Sequence, residues 1–321
     1  MSRFRKALDK FKGLVWKSLY GPLYRIRYTY HTRQRKALRI LDSRQTIHYI
    51  LKTGCSVCRY GDGEFQMIKH LKQMQGEHAA FNIDTFQNFD RNLAQRLDEV
   101  LHSTTSNCLV CIPHGFCNST IHRGYDRIFV EREYLECREL VEHLEHRASH
   151  LLIGDSYFTR FYLNRTDIHD YSAYVSLLKQ LWNRREVLIV EGTHSRLGVG
   201  TDLFDNTSSI RRILAPATNA FSCYDKLIDE IEKVAGDSLI LLALGQTATV
   251  LAYDLAQKGF QAIDIGHVDI EYEWMRMKAT EKVAVPNKYV NEVKEGRIDT
   301  GLDDAIYHKQ IIAAIDSAKI E

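Results

Sequence analysis

The sequence predicts a doubly wound α/β domain, in which helices cover both faces of a mostly parallel sheet. Between about Ser43 and Ile270, short apolar runs rich in β-branched residues alternate with longer segments of helical period. Several runs are apolar without alternation, as expected for strands buried on both faces. With 321 residues, 45% of them hydrophobic, the chain is long enough to bury a substantial core.

Six apolar runs are predicted to be strands. They are Cys55–Cys58, Cys108–Ile112, Leu151–Ile153, Val187–Val190, Leu239–Ala243 and Ala262–Ile265. Apolar positions recur at three- and four-residue steps from Phe86 to Leu101, which predicts a helix there. Tyr224–Val234 and Thr247–Gln257 show the same period, and Gly259 is a candidate left-handed cap for the second. We divide the chain into a basic segment over 1–38, the α/β domain over 39–294 and a helical C-terminal extension over 295–321.

Charge is distributed unevenly along the chain. The whole sequence carries 43 Lys and Arg against 41 Asp and Glu, but residues 1–39 contain twelve basic residues opposed only by Asp9. Phe4, Leu8 and Phe11 lie at helical spacing within this segment, a composition typical of a helix that lies at a membrane interface. We expect peripheral membrane contact through residues 1–36. A solubilising or partner-docking helix is the alternative.

The compartment is predicted from what the sequence does not contain. There is no secretory signal pattern and no run of eighteen uncharged apolar residues. The odd count of seven Cys fits reduced thiols. We expect a cytoplasmic protein, at most peripheral at the inner face of the cell membrane. A nucleic-acid-binding role for the basic segment is less favoured, because no recognition motif follows it.

Polar segments follow the predicted strands, where ligands bind in open α/β sheets. The first is Arg59–Phe65, in which Asp62 and Glu64 stand two residues apart and would project to one side of an extended backbone. Carboxylate oxygens favour Mn²⁺ or Mg²⁺, which leave positions open for phosphate oxygens. Gly61 would allow close backbone approach, and Arg59 could neutralise phosphate charge. The alternative is a solvated turn.

Two further segments could bind a phosphate. Gly245, Gln246 and Thr247 lie where a strand gives way to a helix, so free backbone N–H groups could face an anion. Thr247 could instead merely cap the helix. In the segment Glu191–Asp202, several glycines surround Ser195 and Arg196. No Walker pattern and no G-x-G-x-x-G occurs, which disfavours P-loop NTPases and dinucleotide enzymes.

The segment after the last predicted strand places a histidine among carboxylates. His267 could be a metal ligand or a proton acceptor, and Asp269 and Glu271 follow it closely. A structural role for this histidine is the alternative. Asp155 and Arg160 are weaker candidates, because a strand-end Asp often caps the next turn.

Cysteine spacing suggests a zinc site, but we interpret it differently. Cys55 with Cys58 and Cys108 with Cys111 form two C-x-x-C pairs. Each pair lies in an apolar predicted strand, where residues three apart point to opposite faces. We therefore predict small buried hydrophobic residues there.

Three stretches resemble the GT-D type of glycosyltransferase, a family that bacteria use to build surface glycans and protein-linked glycans. They are RYGDGEF, the segment Ser195–Pro216 and the segment Leu242–Trp274, and the similarity extends in order over about Arg39–Lys294. Tyr60 stands where the family is expected to have Phe. The resemblance implies a Rossmann-like α/β fold of the GT-D type, a nucleotide-sugar donor such as UDP-glucose, and a divalent cation.

The resemblance also implies roles for particular residues. The metal motif falls on Asp62 and Glu64, with Arg59 before it. The donor-binding set becomes Arg59, Gly61, Ser195, Arg196, Gly198, Gly200, Asp202, Gly245, Gln246 and Thr247. His267, Asp269 and Glu271 are candidates for the catalytic base by location, and His267 is also a candidate metal ligand.

The predicted function is transfer of a hexose, with glucose favoured, from a UDP-sugar to a hydroxyl of a glycan acceptor. The acceptor could be lipid-linked or protein-linked, in surface polysaccharide or glycoprotein glycan synthesis. The alternative enzyme is a metal-dependent phosphotransferase or phosphohydrolase acting on a nucleotide diphosphate. The sequence leaves homo-oligomer formation open.

Overall fold

The structure is a computed structural model that describes residues 20–33, 39–73, 86–147, 152–290, 292–293, 296 and 304–316. Within these residues the strands are β1 (Ser56–Arg59), β2 (Cys108–Ile112), β3 (Gly154–Asp155), β4 (Glu186–Gly192), β5 (Ser209–Ala215), β6 (Leu239–Ala243), β7 (Ala262–Asp264) and β8 (Ile311–Ala314). They form one parallel sheet in the order β3-β2-β1-β7-β6-β4-β5-β8.

Helices connect the strands. They are α1 (residues 20–33), α2 (Ser43–Thr53), α3 (Asp62–Gln73), α4 (Arg91–Leu101), α5 (Gly124–Glu136), α6 (Arg138–Arg147), α7 (Tyr171–Lys179), α8 (Tyr224–Val234), α9 (Gln246–Gln257), α10 (Val268–Arg276) and α11 (Ala305–Gln310). Short 3₁₀ turns cover His114–Phe116, Ser119–Ile121, Ser156–Thr159, Gln180–Trp182 and Ala220–Cys223.

The sheet is buried on both faces, which confirms the predicted doubly wound fold. Along β4, Leu188 and Val190 pack into one hydrophobic core, and Val187 and Ile189 pack into a second core on the opposite face. Because both faces are covered, the strand is apolar at successive positions instead of alternating.

The cysteine interpretation is confirmed for the same geometric reason. Cys58 and Cys108 belong to one core, whereas Cys55 and Cys111 belong to the other. Members of each C-x-x-C pair therefore face opposite sides of the sheet, and all four thiols are buried. Neither pair can present two sulfurs to one metal ion.

Several boundaries differ from the prediction. β3 is Gly154–Asp155, later than the predicted run Leu151–Ile153, although Ile153 forms a bridge with Ile40. Phe86 lies before α4, which begins at Arg91 after the capping residue Asp90. By contrast, α8 and β6 have the predicted bounds, and Gly259 has a φ of 90° after α9.

Two strands are missing from the prediction. In β5, Arg212 interrupts the hydrophobic run. Its guanidinium is buried in an ion pair with Glu191 of β4. β8 lies in the extension over 295–321, which we predicted to be helical. The described part has the six-residue helix α11 followed directly by β8, which pairs with β5 at the edge of the sheet. The helical prediction is therefore wrong for β8.

The N-terminal region is described only from residue 20. The predicted amphipathic helix over Phe4–Leu19 therefore lies outside the described residues. Helix α1 packs on α5 through Tyr28 and Tyr134. The Tyr28 hydroxyl also donates to the backbone O of Gly115, in the 3₁₀ turn His114–Phe116, over 2.9 Å. In the described part of the chain, no helix is long and apolar enough to cross a membrane.

Candidate active site

A cavity of about 400 Å³ lies beyond the carboxyl ends of β1, β6 and β7. The N-termini of α3, α9 and α10 converge on it, each reached through a glycine that lines the cavity: Gly61, Gly245 and Gly266. Helix N-termini present unpaired backbone N–H groups and the positive end of the helix dipole. The cavity is therefore suited to a phosphate-bearing ligand.

The D-x-E pair lies at this cavity but not in the predicted geometry. Asp62 and Glu64 occupy the first turn of α3 instead of an extended turn. Helical residues two apart do not face each other, so the prediction that both carboxylates project to one side is wrong. Asp62 is exposed at the cavity, whereas Glu64 folds back and its Oε2 accepts the Gly61 N–H at 2.7 Å.

Burial changes the protonation of Glu64. Desolvation raises the pKa of its carboxyl from 4.5 to about 7, against the opposing effect of the Gly61 N–H. Among the described residues, no group of three or more His, Cys, Asp or Glu is placed to hold a metal. Mg²⁺ and Mn²⁺ sites often use only one or two protein carboxylates together with water and phosphate oxygens, so Asp62 alone, or Asp62 with the second oxygen of Glu64, supplies enough carboxylate ligands for such a site.

Arg59 lines the cavity but is held by other contacts. Its guanidinium forms an ion pair with Asp264 of β7 at 3.0 Å and donates to the backbone O of Ser156 and to Thr159 Oγ1. A Cβ on Gly266 would lie 1.6 Å from Arg59 Nη2, so this glycine is required for the close approach. These contacts give Arg59 a structural role, because they join β1 to β7.

Arg160, which we ranked low, is a cationic side chain of the cavity. It pairs with Glu292 at 3.0 Å, and Lys282 pairs with the same carboxylate at 3.1 Å. Lys282 and Glu292 were missed, because they lie after α10, in a segment without strand or helix periodicity. Asp155, in contrast, is a cap as expected, since it accepts the Tyr157 N–H at 2.9 Å.

The three candidates after β7 all line the cavity but differ in their contacts. The pKa of His267 is lowered to about 3 by desolvation and then by the charge of Arg160, so its imidazole is neutral at physiological pH. Asp269 is buried and accepts two hydrogen bonds, at 2.7 and 2.8 Å, from Lys288 Nζ. Glu271 is buried and accepts the backbone N–H groups of residues 162 and 163.

The segment from Ser195 to Asp202 reaches the cavity at one of its predicted residues. Ser195 lines it, whereas Arg196 is buried and donates to the backbone O of Asn287 over 2.8 Å. Gly198 packs on the ring of Phe204, with a φ of 75°. Two other predicted residues, Gly200 and Asp202, also lie outside the cavity lining. Asp202 is exposed and accepts a hydrogen bond from the Tyr272 hydroxyl at 2.6 Å.

The predicted residues at the start of α9 divide in the same way. Gly245 and Gln246 line the cavity. Thr247 is fully buried outside it, and Gly245 is the N-cap residue, so Thr247 is neither in the cavity lining nor the cap. A Cβ on Gly63 would lie 2.2 Å from Gln246 Nε2, which shows how closely α3 and α9 approach.

The model of the family described as "Glycosyltransferase GT-D fold" matches residues 57–293, the region that contains the whole cavity edge of the sheet. The chain belongs to this family. Membership identifies the enzyme class as glycosyltransferase and confirms the resemblance seen in the sequence. It also disfavours the phosphotransferase or phosphohydrolase alternative.

Two curated proteins are similar to this GT-D chain. A protein named "Probable glycosyl transferase Gly" of Streptococcus gordonii is 35% identical over 286 residues, which cover 87% of this chain and 39% of that protein. "Glycosyltransferase GlyD" of Streptococcus pneumoniae serotype 4 is 35% identical over 272 residues, covering 84% of this chain and 32% of that protein. The chain thus spans only 39% and 32% of the length of these relatives.

Solved structures support the fold. One, described as showing that "the highly conserved domain of unknown function 1792 has a distinct glycosyltransferase fold", superposes with a TM-score of 0.78 at 35% identity, covering 89% of this chain and 99% of that chain. Another, "A New Glycosyltransferase (DUF1792) from Streptococcus sanguinis", gives a TM-score of 0.72 at 32% identity, covering 87% of this chain and 100% of that chain. The two superpositions therefore extend the GT-D fold over 89% and 87% of this chain.

Within the GT-D cavity, several buried polar atoms lack a hydrogen-bond partner in the described parts of the chain. They are His122 Nε2, Ser156 Oγ, Gln246 Oε1 and Glu292 Oε2. Because burying an unpaired polar atom costs about 1–3 kcal/mol, such atoms mark places where a ligand or water can bind. Only Gln246 of these was predicted, since His122 and Ser156 belong to no motif.

The buried carboxyl of Glu133 on α5 has a pKa that depends in part on the charge of Asp62. Burial raises the pKa of this carboxyl to about 7, and the charge of Asp62 contributes in the same direction. The folded pKa lies above the ordinary value, so the stability tied to the neutral form is present below about pH 4.5 and is lost as the pH rises towards 7.

We expect Glu133→Gln to remove this loss, because the amide stays neutral. The free energy of unfolding of the variant should therefore rise relative to that of the parent protein as the pH increases from 5 to 8, by at most on the order of 3 kcal/mol. Urea denaturation at several pH values measures the difference. Glu136→Gln, on the same helix but with a more exposed side chain, is the control. If the free energy of unfolding of Glu133→Gln and that of the parent changed with pH in the same way, the raised pKa of Glu133 would be contradicted.

Proposed function

We propose that this GT-D enzyme transfers a hexose, with glucose favoured, from a UDP-sugar to a hydroxyl of a glycan acceptor, with Mn²⁺ or Mg²⁺ as cofactor. The observation that carries the proposal is the convergence of three helix N-termini, two cationic side chains and an exposed carboxylate on one cavity. A nucleotide sugar needs these features together, because its diphosphate is anionic and its departure leaves further negative charge.

The diphosphate would bind at the helix N-termini. Gly61, Gly245 and Gly266 bring backbone close to the ligand, and helix dipoles favour negative charge there. Arg160 and Lys282 add positive charge, which Glu292 partly offsets. Gln246 Oε1, buried without a described partner, would accept a hydrogen bond from a donor hydroxyl or N–H group.

Asp62 and Glu64 would hold the cation. Asp62 offers an exposed carboxylate, and Glu64 adds one oxygen while its other oxygen keeps the Gly61 N–H. When bound, the cation would neutralise charge on the departing nucleoside diphosphate. The residues around it orient the donor and exclude water from the sugar.

The proton acceptor is proposed among His267, Asp269 and Glu271, and their contacts bear on the choice. A base works best when its pKa lies near the working pH, so the low pKa of His267 favours its alternative role as metal ligand or hydrogen-bonding group. Asp269 would have to leave Lys288, and Glu271 would have to leave two backbone N–H groups. Separate substitution of each residue ranks them.

The acceptor and the compartment are also proposals. A cytoplasmic enzyme would meet UDP-sugars directly, and its acceptor would be a lipid-linked or protein-linked glycan at the inner face of the cell membrane. We propose no nucleic-acid partner, because the cavity combines its cationic groups with several carboxylates.

A donor screen tests the proposal. We expect UDP-sugars with Mn²⁺ to raise the Tm by several degrees, since a ligand at 100 times its Kd adds about 2.7 kcal/mol. GDP- and dTDP-sugars, and each UDP-sugar without metal, are the controls. Product analysis with a panel of aryl hexosides should then show sugar on the acceptor. A Tm response to the other nucleotides alone, or release of phosphate to water, would reject the proposal.

A further inference from the structure

Helix α1 presents an apolar stripe to solvent. Tyr20, Leu23, Ile26 and Tyr30 are exposed, with relative exposures of 48%, 49%, 68% and 58%. Their spacing of three, three and four residues places them along one side of the helix. Scattered exposed apolar residues are ordinary, but four on one helix face form a patch that a soluble surface normally avoids.

The other side of α1 is fixed to the catalytic domain. Tyr28 is buried, and its ring packs edge-on against Tyr134 of α5 at 5.2 Å. Gly21 lies against Ile128, where an added Cβ would be 3.0 Å from the side chain. The exposed stripe therefore lies on the side of α1 opposite to its contacts with α5.

Charge identifies the surface that the stripe fits. Residues 20–33 contain the exposed arginines Arg27 and Arg33 and no Asp or Glu, while Arg25 pairs with Glu131 of α5. Residues 1–19 of the sequence add six Lys and Arg against Asp9 alone. Apolar side chains flanked by arginines match an anionic bilayer surface, where aromatic and aliphatic groups enter the headgroup region and cations remain at the phosphates.

We propose that the α1 stripe docks this enzyme on an anionic membrane surface. Helix α5 joins the stripe to the cavity: Ile128 and Glu131 contact α1, while Tyr125 and Phe129 line the cavity. With α1 docked on the bilayer, only the width of α5, roughly 10 Å, would separate α1 from the cavity. An acceptor carried on a lipid would then meet the cavity without leaving the membrane. The benefit to the acceptor rests on the proposed function, whereas the docking itself is tested without sugar transfer.

Vesicle co-sedimentation of the full chain tests it. The probes are phosphatidylcholine vesicles with and without 30 mol% phosphatidylglycerol, a composition on the order of natural anionic membranes. We expect binding to the anionic vesicles, weakened by salt, and a loss of at least about fivefold in the bound fraction for Leu23→Glu/Ile26→Glu. Met277→Glu/Ile306→Glu, which changes two exposed apolar residues on other elements, is the matched control and should bind like the parent chain.

A second variant separates charge from apolar contact. Arg27→Gln/Arg33→Gln should also lower binding to anionic vesicles, with little effect on neutral ones. Circular dichroism and the Tm should be unchanged in all variants, because every substituted side chain is exposed. Unchanged vesicle binding by Leu23→Glu/Ile26→Glu would overturn the proposal. So would sedimentation velocity showing that this variant converts a dimer to a monomer while still binding vesicles, since the stripe would then contact a second copy.

Discussion

Replacing Asp62 by Asn is expected to lower the rate of sugar transfer by about 10² to 10³-fold, the usual cost of removing one group that stabilises transition-state charge. Asn keeps the shape of the side chain but removes the charge that would bind the cation. Asp62 is exposed at the N-terminus of α3, so its loss should leave the Tm nearly unchanged. Transfer rates at saturating Mn²⁺, with Mn²⁺ binding followed by electron paramagnetic resonance in the presence of UDP, measure both effects.

Asp202→Asn is the matched control for this experiment. The resemblance places Asp202 among the donor-binding residues, but the structure places it outside the cavity lining, bonded to the Tyr272 hydroxyl. We expect its transfer rate to stay within about twofold of the parent, as for surface substitutions away from a site. Full activity and Mn²⁺ binding in Asp62→Asn would remove the metal assignment. Loss of activity in Asp202→Asn alone would show that the donor binds elsewhere.

Replacing Arg59 by Met is expected to lower the free energy of unfolding by about 3–5 kcal/mol, because breaking a buried ion pair leaves one charge without a partner. Arg59 and Asp264 have side-chain exposures of only 11% and 6%. The pair joins β1 to β7 where only Val57 and Ile263 are in register. Urea denaturation measures the loss.

Two further variants separate a structural role for Arg59 from phosphate binding. Arg96→Met breaks ion pairs with Glu99 and Asp254 that are much more exposed, and should cost less than about 1 kcal/mol. Arg59→Met/Asp264→Leu removes both buried charges and should lose less stability than Arg59→Met alone. A stable Arg59→Met protein with a raised KM for the donor would instead support the phosphate-binding role predicted from the sequence.

The sheet was predictable where burial on both faces leaves a continuous apolar signal. β2 and β6 have the predicted bounds, since no charged residue interrupts them. β5 was not predicted because Arg212 interrupts its apolar run. The charge of Arg212 is neutralised by Glu191 of the neighbouring strand β4, a tertiary contact that local composition does not show. β8 was not predicted because it is short and only half-buried at the sheet edge.

The site was predictable at the ends of strands and less so between them. Position alone placed Asp62, Gly245 and His267 at one cavity, because parallel strands bring their carboxyl ends to the same edge. Side-chain direction was not predictable. Arg196 turns into the protein with a φ of 49°, and Glu64 turns back to its own helix terminus. His122 enters from the segment between the 3₁₀ turn Ser119–Ile121 and α5, for which the sequence contains no periodic signal.

The position of β8 has a consequence for synthesis of the chain. β5 pairs with β4 on one side and with residues 311–314 on the other. Until residues 311–314 have left the ribosome, the outer backbone N–H and C=O groups of β5 have no strand beside them. An open strand edge of this kind is a template for pairing with another nascent chain. Closure of this edge of the sheet must therefore await the emergence of residues 311–314.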